Sequence, residues 1–131
     1  MAAGPVATRS RARTACPSFV RLPSPEFGGP GDAWSPEHLL LAAVETCFLF
    51  TLRATAKASR VEFDSCAVTT EGTVDRVDGV TRFTEVVLRP RLILRPGTSP
   101  ERARRAVEKA ERACLVTASL ATPVRIEAEL S

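Results

Sequence analysis

Histidine is nearly absent from this chain, with His38 alone among 131 residues, and its four cysteines, at 16, 47, 66 and 114, never fall into a C-x-x-C spacing. A structural zinc site draws its ligands from short paired runs of these residues, so the sequence offers no metal centre. Long apolar runs are missing as well. The longest, Leu39 to Leu52, is interrupted by Glu45 and falls short of the roughly 20 residues that span a bilayer. The N-terminus carries basic residues but no apolar stretch of the kind that makes a secretory signal. The protein is therefore expected to be cytoplasmic, with no membrane partner, where a cysteine pair is catalytic or inert rather than a permanent bridge. Fixed-period repeats and low-complexity tracts are also lacking. Aromatic residues are scarce where positive charge is densest: Arg9, Arg11, Arg13 and Arg21 have only Phe19 among them. That region supplies much of a net charge of +3, from 18 basic against 15 acidic side chains. With no reading motif it is a solvated basic arm, and no nucleic-acid partner is expected.

What is present is the ordinary balance of a globular protein, 44% apolar and 25% charged, in a chain long enough to bury a core without disulfide staples. Residues 1–25 read as an irregular or weakly stranded basic segment rich in proline. Short edge strands fit only around Val6 to Arg13 and Ser18 to Leu22. Residues 26–131 read as one α+β domain.

Within that domain, Ser35 suits an N-cap and Pro36 the first helical position, where its missing N–H costs nothing. A helix is predicted from there to about Ser59, with Leu40, Ala43, Val44, Cys47, Phe48 and Thr51 on one face. Leu39, Leu41, Leu49, Phe50 and Leu52 add apolar surface outside that stripe. Burial on more than one side follows, and with it a homodimer. Beyond Val61 the residues become β-branched and alternating. Cys66, Val68 and Thr70 precede a turn at Asp78-Gly79, and Val86, Leu88, Leu92 and Leu94 follow it, which predicts an antiparallel hairpin with Pro90 at an edge or a bulge. Ser99-Pro100 repeats the helix-start signal, and Ala103, Ala106, Val107, Ala110, Ala113 and Cys114 make the apolar stripe of a second helix. A final strand alternates Val124, Ile126, Ala128 and Leu130 with charged residues. The expected architecture is an antiparallel sheet with two main helices on one face.

Cys47 and Cys114, each at a helix-like segment, are the candidate chemistry. Taken alone they read either as a redox pair or as small inert hydrophobes. A cysteine peroxidase needs a thiolate to attack the peroxide, a cation to keep it ionised and a second thiol to resolve the sulfenic acid. Cys66 reads as a strand core residue, Cys16 as adventitious, His38 as a surface side chain, and Glu37 as an acid that complements the helix dipole.

The run Ser35-Pro36-Glu37-His38-Leu39-Leu40-Leu41-Ala42-Ala43-Val44-Glu45-Thr46-Cys47-Phe48 resembles the N/S-P-E-x-L-x-x-A-x-x-x-C-F motif of the OsmC/Ohr family, the osmotically inducible and organic hydroperoxide resistance proteins. The Gly28-Gly29-Pro30-Gly31 turn before it, the segment Ala113-Cys114-Leu115-Val116-Thr117 and the closing strand fall in the family's order, so the likeness spans residues 26–130. The resemblance implies an intertwined homodimer in which Cys47 is the peroxidatic nucleophile, Cys114 the resolving thiol, and Glu37 the carboxylate that orients an activating arginine. It implies organic hydroperoxides as substrates and a dithiol as reductant, a lipoylated protein among the candidates, with no cofactor. The arginine belongs on an N-terminal strand, where Arg9, Arg11 and Arg13 all stand. The family's frequent Cys-Pro-Val-Ser is here Cys114-Leu115-Val116-Thr117, and Leu115 allows the helix to continue where proline would end it. The alternative within the resemblance is a binding or scaffold protein that lacks a competent arginine. Glu37 and Cys47 are ten positions apart, about 15 Å along one straight helix, so a shared site needs a second chain or a helix break.

Overall fold

The computed structural model describes residues 34–131. The chain divides into two compact units, Met1–Pro36 and Glu37–Ser131. The N-terminal strands expected around Val6 to Arg13 and Ser18 to Leu22, and Arg9, Arg11, Arg13 and Cys16, lie outside the described residues.

Helix α1 spans Pro36–Ala58, with Glu37 in its first turn and Lys57 in its last, a charge placement that complements the helix dipole. The chain then turns into strand β1, Phe63–Val77, and strand β2, Val80–Leu94. Both residues of the intervening turn have positive φ, Asp78 at 51° and Gly79 at 79°. That backbone matches the twist of a tight hairpin, which is why Asp-Gly marks it. Helix α2, Pro100–Ala113, starts at Ser99, whose side chain accepts a hydrogen bond from the Arg102 N–H. The short helix α3, Leu115–Ala118, and strands β3, Val124–Ile126, and β4, Glu129–Leu130, complete the chain.

The sheet is mixed rather than wholly antiparallel. β1 pairs antiparallel with β2, but β3 and β4 both lie parallel to β2 on its other edge. A parallel return needs a crossover, and α2 supplies it. Pro90 is therefore neither on an edge strand nor at a bulge: it sits within the central strand, opposite Val68, and the register shifts fall elsewhere, between Phe63 and Ser65 and between Thr73 and Val74. Along β2, the N–H groups of Val86 and Leu94 donate to Pro123 and Ser131 on the closing segment. Alternation places Pro90 on that same edge, where it has no N–H to give. The closing segment breaks at that point into β3 and β4, so the proline is accommodated by an interruption in its neighbour. The second register shift moves Phe83 onto the inner face, against the core cluster. Gly72 makes room for it, since a Cβ there would stand 2.6 Å from Phe83 Cε1 and 2.8 Å from Leu41 Cδ2.

The main core joins Val44, Phe48 and Leu52 of α1, Val86, Leu88 and Leu92 of β2, and Val107 and Ala110 of α2. The buried stripe of α1 is Val44, Phe48, Leu52 and Ala56, whereas Ala43, expected inside, is exposed. Cys47 and Thr51 flank this stripe in half-buried positions, since three residues fall about 60° short of a full turn. Ala113 is likewise exposed, and so is Ala128 in the closing segment. A smaller cluster of Ala56, Val61, Ala103 and Ala106 lets α1 and α2 approach closely. There the Thr55 hydroxyl donates to the Ala106 carbonyl at 3.2 Å.

The opposite face of the sheet is charged. Glu71, Arg89, Glu127, Arg125 and Glu85 form a continuous chain of ion pairs across β1, β2 and β3, and Arg91 pairs with Glu129 at 3.1 Å. These pairs are exposed, so they keep that face in water more than they hold it together.

With 23 residues, α1 is long and apolar enough by length and composition to span a bilayer, contrary to the count that stopped at Leu52. One face of it packs into the core of this fold. Phe48 and Leu52 are fully buried, and Glu45 accepts a hydrogen bond at 2.9 Å from Thr70 on β1.

Candidate active site: a pair of thiols

The break between α2 and α3 builds the site. Leu115 does not carry α2 onward. Cys114 adopts extended backbone, φ −69° and ψ 113°, and so ends one helix and begins the next. The Thr117 hydroxyl donates to the Cys114 carbonyl at 3.1 Å, which holds this corner closed. Cys114 is 1% exposed, inside the main core cluster, and Cys47 packs against that same cluster from α1 in a half-buried position. Both are free thiols, and they are close enough for Cys47 to influence the ionisation of Cys114. The fold thus brings together two cysteines with the whole hairpin between them in sequence.

Burial pushes the Cys114 thiol above its ordinary value, and the neighbouring Cys47 pushes it further. Hydrogen bonds from the side chain and backbone of Thr117 oppose the rise. Cys114 therefore keeps its proton through neutral pH. In an NMR titration of labelled cysteine, Cys114 is expected to ionise above the usual thiol range, and Thr117→Val to move the midpoint higher still, because the hydroxyl that favours the thiolate is gone. A midpoint unchanged by this substitution would remove Thr117 from the site. Thr117 is not singled out by the sequence alone. The available signal was a threonine three residues after a cysteine at a helix end, a spacing at which hydroxyls bond to local backbone.

A cavity of about 230 Å³ is floored by Phe48, Leu88, Val124 and Ile126, with Glu111, Arg112 and Thr117 among its lining residues. Two of its lining residues neighbour the thiols along the chain or by a hydrogen bond: Phe48 follows Cys47, and Thr117 bonds to the Cys114 carbonyl. Its apolar floor suits an alkyl or aryl group.

Glu37 is not brought to the thiols. It lies in the first turn of the same continuous helix as Cys47, about 15 Å away along the axis. Its Oε2 is buried without a hydrogen-bond partner, an arrangement that leaves a carboxylate ready for a cation. Cys66 is half-buried on the inner face of β1, where burial raises its pKa and the charge of Arg53 opposes the rise. It packs against the main core cluster as an apolar residue does. No group of three or more metal-ligating side chains occurs among the described residues.

Residues 29–129 match the sequence model of a family described as OsmC-like protein. The uncharacterized protein YmaD of Bacillus subtilis is 29% identical over 109 residues, which cover 81% of this chain and 73% of that protein. Among solved structures, an OsmC-like protein of unknown function from Vibrio cholerae superposes with a TM-score of 0.70 at 23% identity, covering 76% of this chain and 67% of that one. An organic hydroperoxide resistance protein from Elizabethkingia anophelis superposes with a TM-score of 0.66 at 26% identity, covering 86% and 78% of the two chains.

Proposed function

Because this chain belongs to the OsmC-like protein family, we propose that it is a thiol peroxidase that reduces organic hydroperoxides to alcohols. The observation that carries this reading is the adjacency of Cys47 and Cys114 in one core. The Cys47 thiolate attacks the terminal peroxide oxygen, the O–O bond breaks, and the alkoxide leaves as alcohol after taking a proton. Cys47 becomes a sulfenic acid. Cys114 then attacks that sulfur, water departs, and a disulfide forms. A dithiol, such as a protein-bound lipoyl group in the cytoplasm, returns both thiols to the reduced state. The half-buried position of Cys47 admits a substrate, while the retained proton of Cys114 suits the second step rather than the first.

Glu37 enters this scheme as a positioning residue for an arginine, with Arg9, Arg11 and Arg13 as the candidates. Its unpartnered Oε2 is consistent with that duty, and its distance from Cys47 requires that a second copy of the chain complete the site. The homodimer has independent support from α1, where only 22% of the most apolar stretch is buried and Phe50 is 63% exposed. A monomeric mass by light scattering at micromolar protein would remove the two-chain site.

Incubation of the reduced protein with cumene hydroperoxide tests the chemistry. Loss of two thiols for each cumyl alcohol formed is expected. Unchanged thiols and no alcohol would instead favour a binding or scaffold protein without a competent arginine.

A further inference from the structure

Where α1 ends, the surface carries charges that the thiol chemistry does not use. A cavity of about 540 Å³ opens there, with Arg53, Lys57 and Arg60 around Ala56, Val61 and Phe63. Ala56 and Val61 are buried members of the smaller core cluster, against which Phe63 packs, so the floor is apolar and fixed. The cavity's acidic lining residue, Glu62, is already held by Arg95 at 3.2 Å, and Arg95 is shared with Asp64 at 3.0 Å. Among the described residues, Arg53, Lys57 and Arg60 have no ion pair.

The helix dipole favours Lys57 in the last turn, but carbonyl capping does not account for Arg53 and Arg60. The Val61 N–H donates to the Ala56 carbonyl at 2.9 Å and the Arg60 N–H to the Lys57 carbonyl at 3.2 Å, while Arg102 donates to the Ser59 carbonyl at 2.7 Å. The carbonyls at this end are thus satisfied by other groups. Arg53 and Lys57 stand four residues apart on the helix, a spacing at which like charges repel. Arg60 occupies the left-handed position that closes the helix, φ 55°, where glycine is the unstrained choice. Two arginines and a lysine are therefore held together, against repulsion and backbone strain, around an apolar floor. Guanidinium groups in such a setting match the paired oxygens of a carboxylate.

We propose that this cavity binds an amphiphilic carboxylate of medium chain length. Arg53, Lys57 and Arg60 hold the head group, and the alkyl body lies on Ala56, Val61 and Phe63. Neither Cys47 nor Cys114 lines this cavity, and the site does not depend on peroxide chemistry.

Titration calorimetry on the full chain tests it with four probes: octanoate, octanol, acetate and inorganic phosphate. Octanoate is expected to bind once per chain and at least tenfold more tightly than the other three, with an affinity that falls as salt is raised. Arg60→Gly is expected to weaken octanoate at least fivefold while raising the unfolding temperature, because glycine relieves the left-handed strain as it removes the charge. The double variant R53Q/K57Q is expected to lose octanoate binding with unchanged thiol loss to cumene hydroperoxide. Equal binding of octanoate and octanol, phosphate binding as tight as octanoate, undiminished affinity in Arg60→Gly, or no heat at millimolar octanoate would each overturn the proposal.

Discussion

Replacing Cys47 with serine is expected to abolish hydroperoxide reduction, lowering turnover by about a thousandfold or more, the scale seen when a nucleophile is removed. Serine keeps the size and place of the side chain, but its hydroxyl is a far poorer nucleophile at neutral pH. The fold should tolerate the change because Cys47 packs only at the margin of the core cluster. Cys114→Ser should behave differently. Its Cys47 remains able to attack once, so a single oxidation occurs and leaves a sulfenic acid that dimedone traps. No disulfide forms. Mass spectrometry of the two variants after one equivalent of cumene hydroperoxide distinguishes the roles. A dimedone adduct only on Cys114 would reverse the assignment, and equal turnover in both variants and the parent protein would end the peroxidase reading.

The second large effect is on stability. Phe48→Ala removes a ring that is 0% exposed and belongs to the core shared by α1, β2 and α2. Truncating such a side chain costs about 3–5 kcal/mol, through lost burial and the void left behind. A domain has only about 5–15 kcal/mol in all, so the variant should unfold at a markedly lower denaturant concentration. A loss below about 1 kcal/mol in urea titration would place Phe48 outside the core. Phe50 provides the contrast: two positions along, it is 63% exposed, and its replacement by alanine should weaken self-association instead.

The elements that sequence alone made legible are those with local punctuation. Ser35-Pro36 and Ser99-Pro100 located both helix starts, and Asp78-Gly79 located the hairpin turn, because each signal depends on backbone geometry at one point. What escaped depends on partners distant in the chain. Alternation at Val124 and Ile126 marks a strand with one buried face but is the same for either direction of pairing, so the parallel return to β2 was missed. Pro90 was judged by its own missing donor, whereas the fold accommodates it in the neighbouring segment. At the site, the motif around Cys47 and the helix end at Cys114 singled out both thiols. Their adjacency is a product of packing, as is the buried Oε2 of Glu37. The bond from Thr117 arises only because Cys114 leaves the helix, which Leu115 gave no reason to expect.

The crossover through α2 also sets when the site comes into being. β1 and β2 meet across a tight turn and pair locally, whereas β3 reaches β2 only after α2 and α3 have been traversed. Contacts between near neighbours in sequence form early, and those that close long loops form late. Cys47 lies before the hairpin and Cys114 on the crossover beyond it. During synthesis the first thiol therefore emerges well ahead of its partner, and the two become neighbours only with the last long-range contacts. Completion of the fold is thereby the step that makes a pair of the two thiols, and an unfinished chain holds them only as ordinary, separate cysteines.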